Sequence, residues 1–272
     1  MGSDPRGSDP IGVIGCGNMG AALIAGMVKS RFIRPGGIVV WDPDAAKLKR
    51  LPAGIRRARS NGDLAGRSRV ILLAVKPQQM EPVLEEIRPH LQRRPLVISI
   101  AAGISSRWIE ERLGGAVPVV RVMPNTAALV GKGIAALSPG RRATGSSLRV
   151  AGRIFRGVGE VVQVPERWMD AVTAVSGSGP AYFFFLMEQM ITAGVRLGIS
   201  RETARRLVLA TAEGAAELAR SSGEDPALLR GRVTSKGGTT EAAFKRFARA
   251  GLGPILQAGI RAAAERSKQL GR

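Results

Sequence analysis

IGVIGCGNMG, residues 11–20, decides how the N-terminal half of this chain folds. Residues 11–14 form a short apolar run suited to a buried strand, and residues 19–29 continue with helical periodicity. Between them Gly15, Gly17 and Gly20 fit G-x-G-x-x-G, with Cys16, Asn18 and Met19 filling the variable places. Alone the pattern is common. Directly after a strand and opening a helix, it is the turn that binds a dinucleotide pyrophosphate. Gly15 permits the tight turn, Gly17 lets the backbone approach the phosphates, and Gly20 lets the helix sit close to the sheet. Free N–H groups and the positive end of the helix dipole then face the anion. An ordinary structural glycine turn is the competing reading.

Outward from this turn, short β-branched runs alternate with helical stretches, the pattern of a parallel sheet covered on both faces. Strands are expected at residues 38–41, 70–75, 96–100, 117–122, 133–137 and 161–164, with helices at 78–87, 105–113 and 148–155. Asp42 ends the second strand, 22 residues beyond Gly20, where a carboxylate binds the ribose 2′-OH of NAD and repels the 2′-phosphate of NADP. Lys47, Lys49 and Arg50 follow within one helix and offer compensating charge. The cofactor is therefore NADPH or NADH, with Asp42 favouring NADH. Cys16 is either a reactive thiol at a helix N-terminus or a small residue in a crowded turn. Two further loops leave the carboxyl ends of strands, where ligands of such sheets bind. They are Ala74-Val75-Lys76-Pro77 and Ala101-Ala102-Gly103. Lys76 is a phosphate ligand or a solvated loop lysine. Asn125 orients an amide or simply closes a turn.

Composition sets the outer bounds. The chain has 272 residues, 44% hydrophobic and 23% charged, enough for one large or two small globular domains. No apolar run approaches the roughly 18 residues of a membrane helix. The polar, repetitive MGSDPRGSDP at residues 1–10 reads as a tag-like disordered tail. A single cysteine excludes an internal disulfide, and the cytoplasm is the expected compartment. The net charge of +20 raises nucleic acid as a partner. The excess is dispersed arginine, however, with aromatic residues at only 4%, too few for many stacking platforms. Neither a nucleic-acid nor a membrane partner is expected.

After Pro165 no strand-like run recurs, and Ala and Leu at helical spacing dominate. Residues 180–197 and 201–220 read as long helices, with more apolar surface than an isolated bundle can cover, so this half is expected to self-associate. The expected domains are 11–165, a dinucleotide-binding sheet, and 166–272, a helical dimerisation and substrate domain. Two motifs stand out in the helical half. Ser176-Gly177-Ser178-Gly179-Pro180 starts a helix, with proline suited to the first position. Thr234-Ser235-Lys236-Gly237-Gly238-Thr239-Thr240-Glu241 starts another, and free N–H groups beside hydroxyls there suit a small carboxylate as well as they suit a plain helix cap.

DAVTAVSGSGPAYFFF followed by RVTSKGGTTEAAF resembles the signature of the pyrroline-5-carboxylate reductase family, and IGCGNMG, AVKP, the strand with AAG, and VMPNT stand in family order. The resemblance spans essentially residues 11–270. It implies a Rossmann-type domain followed by an all-helical dimerisation domain, a homodimer that commonly builds a decamer, and active sites shared between subunits. It implies the last step of proline biosynthesis: hydride transfer from NAD(P)H to the C=N carbon of 1-pyrroline-5-carboxylate. By the same resemblance Gly15, Gly17, Asn18 and Met19 hold the pyrophosphate, and Asn61, Val75, Lys76 and Ala102 line the rest of the cofactor; Pro77, Ala101 and Asn125, on the loops read above, are expected there too. Thr240 matches the family threonine on the ring nitrogen, Ser235, Gly238 and Thr239 hold the carboxylate, and Glu166 matches a glutamate near the substrate. Asp42 departs from the serine or other polar residue of NADPH-preferring members. Lys236 stands where many members have proline, and Arg232 replaces an asparagine of some members, so no role is carried there.

A threonine hydroxyl is a poor acid at neutral pH, so Thr240 is expected to orient the ring rather than drive proton transfer alone. His90, the only histidine, has no evident part. No spacing suggests a metal site. Related imine or β-hydroxyacid reductases remain the enzymatic alternative, but they lack the SKGGTT segment.

Overall fold

The computed structural model describes residues 10–115 and 117–271. The expectation of a disordered tail at 1–10 falls almost wholly outside them. The described residues contain an eight-stranded sheet in the order β3-β2-β1-β4-β5-β6-β7-β8. The strands are β1 Ile11–Ile14, β2 Ile38–Trp41, β3 Arg56–Arg57, β4 Val70–Leu73, β5 Leu96–Ser99, β6 Val119–Met123, β7 Gly133–Pro139 and β8 Gly159–Gln163. In β1, β4, β5 and β6 every residue is buried, as expected of strands covered on both faces.

The period of two along each strand splits the apolar side chains between two core layers. Val13, Leu72, Ile98 and Val120 face one layer, with Leu23, Met27 and Phe155 from helices α1 (Asn18–Lys29) and α6 (Gly145–Arg156). Ile14, Leu73, Val97 and Val119 face the other, with Leu64, Leu84 and Ile109. Those three come from α3 (Asn61–Arg67), α4 (Met80–Ile87) and α5 (Ser106–Arg112); the short α2 spans Ala45–Lys49.

The expectation of a parallel sheet needs one correction. β6 and β7 pair antiparallel, Arg121 opposite Ser138, while every other pairing is parallel. Residues 124–132 join the two strands, and so short a link cannot carry the chain back to the starting end of the sheet, which a parallel partner requires. α6 then supplies a full crossover, so β8 runs parallel to β7.

The chain divides into two compact units: one running through Ser178 and regaining the chain from Ala263, the other Gly179–Ala262. Within the first, α7 (Met169–Val172) and a π-helical turn, Thr173–Gly177, follow β8, and Met169 packs with Met123 and Ala136. The second unit holds α8 (Gly179–Arg196), α9 (Arg201–Ser222), α10 (Pro226–Arg232), α11 (Thr239–Arg249) and the start of α12 (Leu252–Leu270). Gly194 lets α8 meet α9 closely, against Ala204. Of the 22 residues of α9 only Ala204 and Val208 are buried, and Phe183, Phe184 and Phe185 are each over 60% exposed. Exposed apolar side chains in this number suit coverage by a second chain. Among the described residues no helix is long and apolar enough to cross a membrane.

Candidate functional site

The glycine turn is tied down by the ends of three strands. Gly15 donates its N–H to Trp41 O at 2.9 Å, and Ala74 donates to Ile14 O at 2.8 Å. Gly15 adopts φ +92°, where a side chain is strained, and a Cβ there would stand 2.5 Å from Ala74 O. At Gly20 a Cβ would strike Gly15 O, so these two glycines serve the packing of the turn itself. Gly17 differs: a Cβ there meets nothing within 4 Å. It caps the N-terminus of α1 with no side-chain hydrogen bond, so the helix's first amides face open space. Room over Gly17 is what the dinucleotide reading of Gly15, Gly17, Asn18 and Met19 requires.

Asp42 follows β2 and is turned into this loop, only 5% exposed. Its Oδ2 accepts the Cys16 N–H at 2.8 Å, and Oδ1 accepts the Asp44 N–H at 2.9 Å and faces Lys47 Nζ at 3.2 Å. Burial presses its carboxyl pKa upward, but the Cys16 and Asp44 amides and Lys47 more than offset that and hold it below the ordinary carboxylate value. The carboxylate therefore stays charged. For Cys16 burial first, and the neighbouring Asp42 charge second, push the thiol up to about 12 against a smaller opposing effect of Lys47. Of the two readings of Cys16, the geometry favours the small residue in a crowded turn. Iodoacetamide at pH 8 is expected to label the native protein at least a hundredfold more slowly than the unfolded chain. Comparable rates would contradict that assignment.

Asn61, the first residue of α3, donates its Nδ2–H to Glu86 Oε2 at 2.7 Å and its backbone N–H to Glu86 Oε1 at 3.0 Å. Its own Oδ1 is buried with no hydrogen-bond partner, an acceptor awaiting a donor. Glu86 was not legible as part of the site: it lies 25 residues away, on a helix whose local pattern only predicts a solvated face.

Val75 and the exposed Lys76 leave β4, and Pro77 opens a single turn, Pro77–Gln79, ahead of α4. After β5, Ala101 is buried and donates its N–H to Ser99 Oγ at 3.3 Å, while Ala102 packs with the Met123 cluster. Asn125 accepts the Ile134 N–H on its Oδ1 at 3.3 Å, which is the turn-closing arrangement. Glu166 lies in the turn Glu166–Trp168 before α7, with both oxygens engaged. Oε1 accepts from Ser106 N at 3.1 Å and from Arg121 at 3.0 Å, and Oε2 accepts from Ser106 Oγ at 3.1 Å. Arg121, buried on β6, is a second residue the sequence reading missed; inside an apolar strand it has no local signal.

In the helical unit, Ser235, Gly238, Thr239 and Thr240 gather at one turn. The Gly238 N–H bonds Ser235 O at 3.0 Å, and Glu241 folds back so that its Oε2 accepts the Gly237 N–H at 2.7 Å. Gly238 lies against Ser235 Oγ so closely that a Cβ there would collide with it. As the N-cap of α11 Gly238 offers no side-chain acceptor, which leaves the first amides and the Thr239 and Thr240 hydroxyls for a ligand. Lys236 is exposed beside them.

Comparison with known proteins agrees with both halves. Residues 166–270 match the family model described as pyrroline-5-carboxylate reductase dimerisation, and residues 10–103 match that of NADP oxidoreductase, coenzyme F420-dependent. A pyrroline-5-carboxylate reductase of Pseudomonas aeruginosa is 43% identical over 271 residues, covering 98% of this chain and 97% of the relative. One from Methanosarcina acetivorans is 41% identical over 96% and 98%. Among solved structures, a Plasmodium falciparum pyrroline carboxylate reductase with NADP bound superposes at TM-score 0.89 with 31% identity, covering 98% of this chain and all of that one. With glycine turn, helical signature and near-complete coverage in agreement, the chain belongs to the pyrroline-5-carboxylate reductase family.

Proposed function

We propose that this protein reduces 1-pyrroline-5-carboxylate to L-proline, the last step of proline biosynthesis, in the cytoplasm and as a homodimer able to build a decamer. The observation that carries the reading is the open space over Gly17 in a chain whose second unit presents an uncapped helix start flanked by Ser235, Thr239 and Thr240. The bound nicotinamide supplies hydride to the imine carbon. The chain's own residues hold and orient. The amides of the glycine turn take the pyrophosphate, Asn61 Oδ1 accepts a hydrogen bond from the adenosine half, and Val75, Lys76, Pro77, Ala101 and Ala102 line the remainder. The Thr239 amide, with Ser235 Oγ, takes the substrate carboxylate beside the bare backbone of Gly238, whose own N–H is held by Ser235 O. The reacting form is the iminium, and the Thr240 hydroxyl steadies its ring nitrogen.

Of the two nucleotides, NADH is the one Asp42 favours, because its charge lies beside the glycine turn where a 2′-phosphate would be repelled. Asp42→Asn separates charge from scaffold, since the amide oxygen still accepts the Cys16 N–H. The NADPH-to-NADH ratio of kcat/KM is expected to rise about tenfold in this variant. An unmoved ratio means that position 42 is not at the ribose.

Oxidation of NADH and of NADPH with pyrroline-5-carboxylate, in separate assays at neutral pH, tests the activity. Rapid oxidation of either supports it, and silence with both on folded, associated protein refutes it.

A further inference from the structure

The loop Ala101–Gly103 is held from two directions by residues that the cofactor reading does not use. Gly103 adopts φ +79° beneath the end of α12, where a Cβ would stand 2.5 Å from Ser267 O, 2.9 Å from Leu270 Cβ and 3.1 Å from Gly271 N. The backbone of the loop thus rests directly on the last turn of the helix. Ser267 is 2% exposed and donates its Oγ–H to Asp170 Oδ1 at 2.7 Å. The same Asp170 oxygen faces Arg121 at 3.5 Å, and Arg121, 3% exposed, pairs with Glu166 at 3.0 Å. Glu166 accepts both hydrogen bonds of Ser106, three residues beyond Gly103. The contacts close a ring: Gly103, Ser267, Asp170, Arg121, Glu166, Ser106, and back along the chain to Gly103.

We infer that Ser267 and Asp170 are positioning residues of the cofactor site, and that the end of α12 sets where Ala101 and Ala102 stand. The inference rests on the assignment of that loop to the cofactor. A small-residue loop at the carboxyl end of a strand has little side chain with which to fix itself, so its position is imposed by what it lies on. A buried serine at the end of the last helix, hydrogen-bonded to the half-buried Asp170 of α7, is explained by this duty. It also gives Glu166 its place: both carboxylate oxygens are committed to the ring, which makes it a positioning residue acting through Ser106.

The test uses the full-length protein with Ser267→Ala, Asp170→Ala and Asp170→Asn, the last retaining an acceptor for Ser267 and Arg121. NADH affinity is read by fluorescence titration, KM for each substrate and kcat by turnover, and stability by Tm. Ser267→Ala and Asp170→Ala are expected to raise the Kd and KM for NADH at least fivefold, with KM for the imine within twofold and Asp170→Asn close to wild type. A lowered Tm with unchanged NADH affinity in both alanine variants would overturn the inference, as would no change in either quantity. Wild-type protein that binds NADH but leaves the imine untouched would refute the proposed reaction and not the ring, because the affinity titration still reads the loop.

Discussion

Gly17→Ala is expected to leave the protein folded and to cost more than a hundredfold in affinity for NADH and NADPH alike. The expectation follows from the contrast among the three glycines of one turn. At Gly17 φ is −65°, open to any residue, and an added Cβ meets no atom within 4 Å, so the fold has no reason to object. In the proposed binding mode the methyl would occupy space the pyrophosphate needs, and pushing the phosphates off the first amides of α1 would forfeit charge-assisted hydrogen bonds, each worth ~1.5–3 kcal/mol. A hundredfold loss corresponds to about 2.7 kcal/mol, so weakening one or two such bonds suffices. Gly20→Ala is the control in the opposite sense: its Cβ strikes Gly15 O, so stability falls together with binding. The paired measurement is Tm and nucleotide affinity for both variants. A Gly17→Ala protein that binds NADH normally would remove the dinucleotide from this turn.

Thr240→Ala is expected to lower kcat about a hundredfold, with NADH affinity within twofold of wild type. Thr240 is the second residue of α11 and has no side-chain hydrogen bond among the described residues, so the hydroxyl is not spent on the fold. Alanine is also the better helix former, and Tm should move by no more than a degree or two. In the proposed role, what disappears is one hydrogen bond to the nitrogen on which charge changes as hydride arrives, a loss of ~2.7 kcal/mol in transition-state stabilisation. Thr240→Ser keeps the hydroxyl and should retain most of the rate. An alanine variant that turns over normally would move the ring nitrogen elsewhere.

Much of this site was legible one residue at a time. The glycine turn and Asp42 at the end of β2 were readable within a few residues, because a tight turn and a strand end have local chemistry; the Ser235–Thr240 segment read locally as a helix start that suits a cap or a carboxylate equally, and its ligand role came from the family resemblance. Neither α3 nor the Arg56–Arg57 edge strand was foreseen, since both are too short to show a clear period. Other boundaries shifted where a turn took over the last residues of an apolar run, as at Ala74 and Val75, which leave β4 for the ligand loop.

What the sequence determined by itself was the βα unit built on residues 11–29, the alternation that makes the sheet, the helical second half and the family to which both belong. These rest on periodicity and turn chemistry, which act within about one helical or strand length. The tertiary structure alone decided that β7 runs against β6, that Asp42 braces Cys16, that Glu86 orients Asn61, and that Ser267 reaches Asp170 from 97 positions away. Such partners are chosen by the folding of distant segments onto one another, and a buried polar group records its need for a partner without recording which residue will meet it.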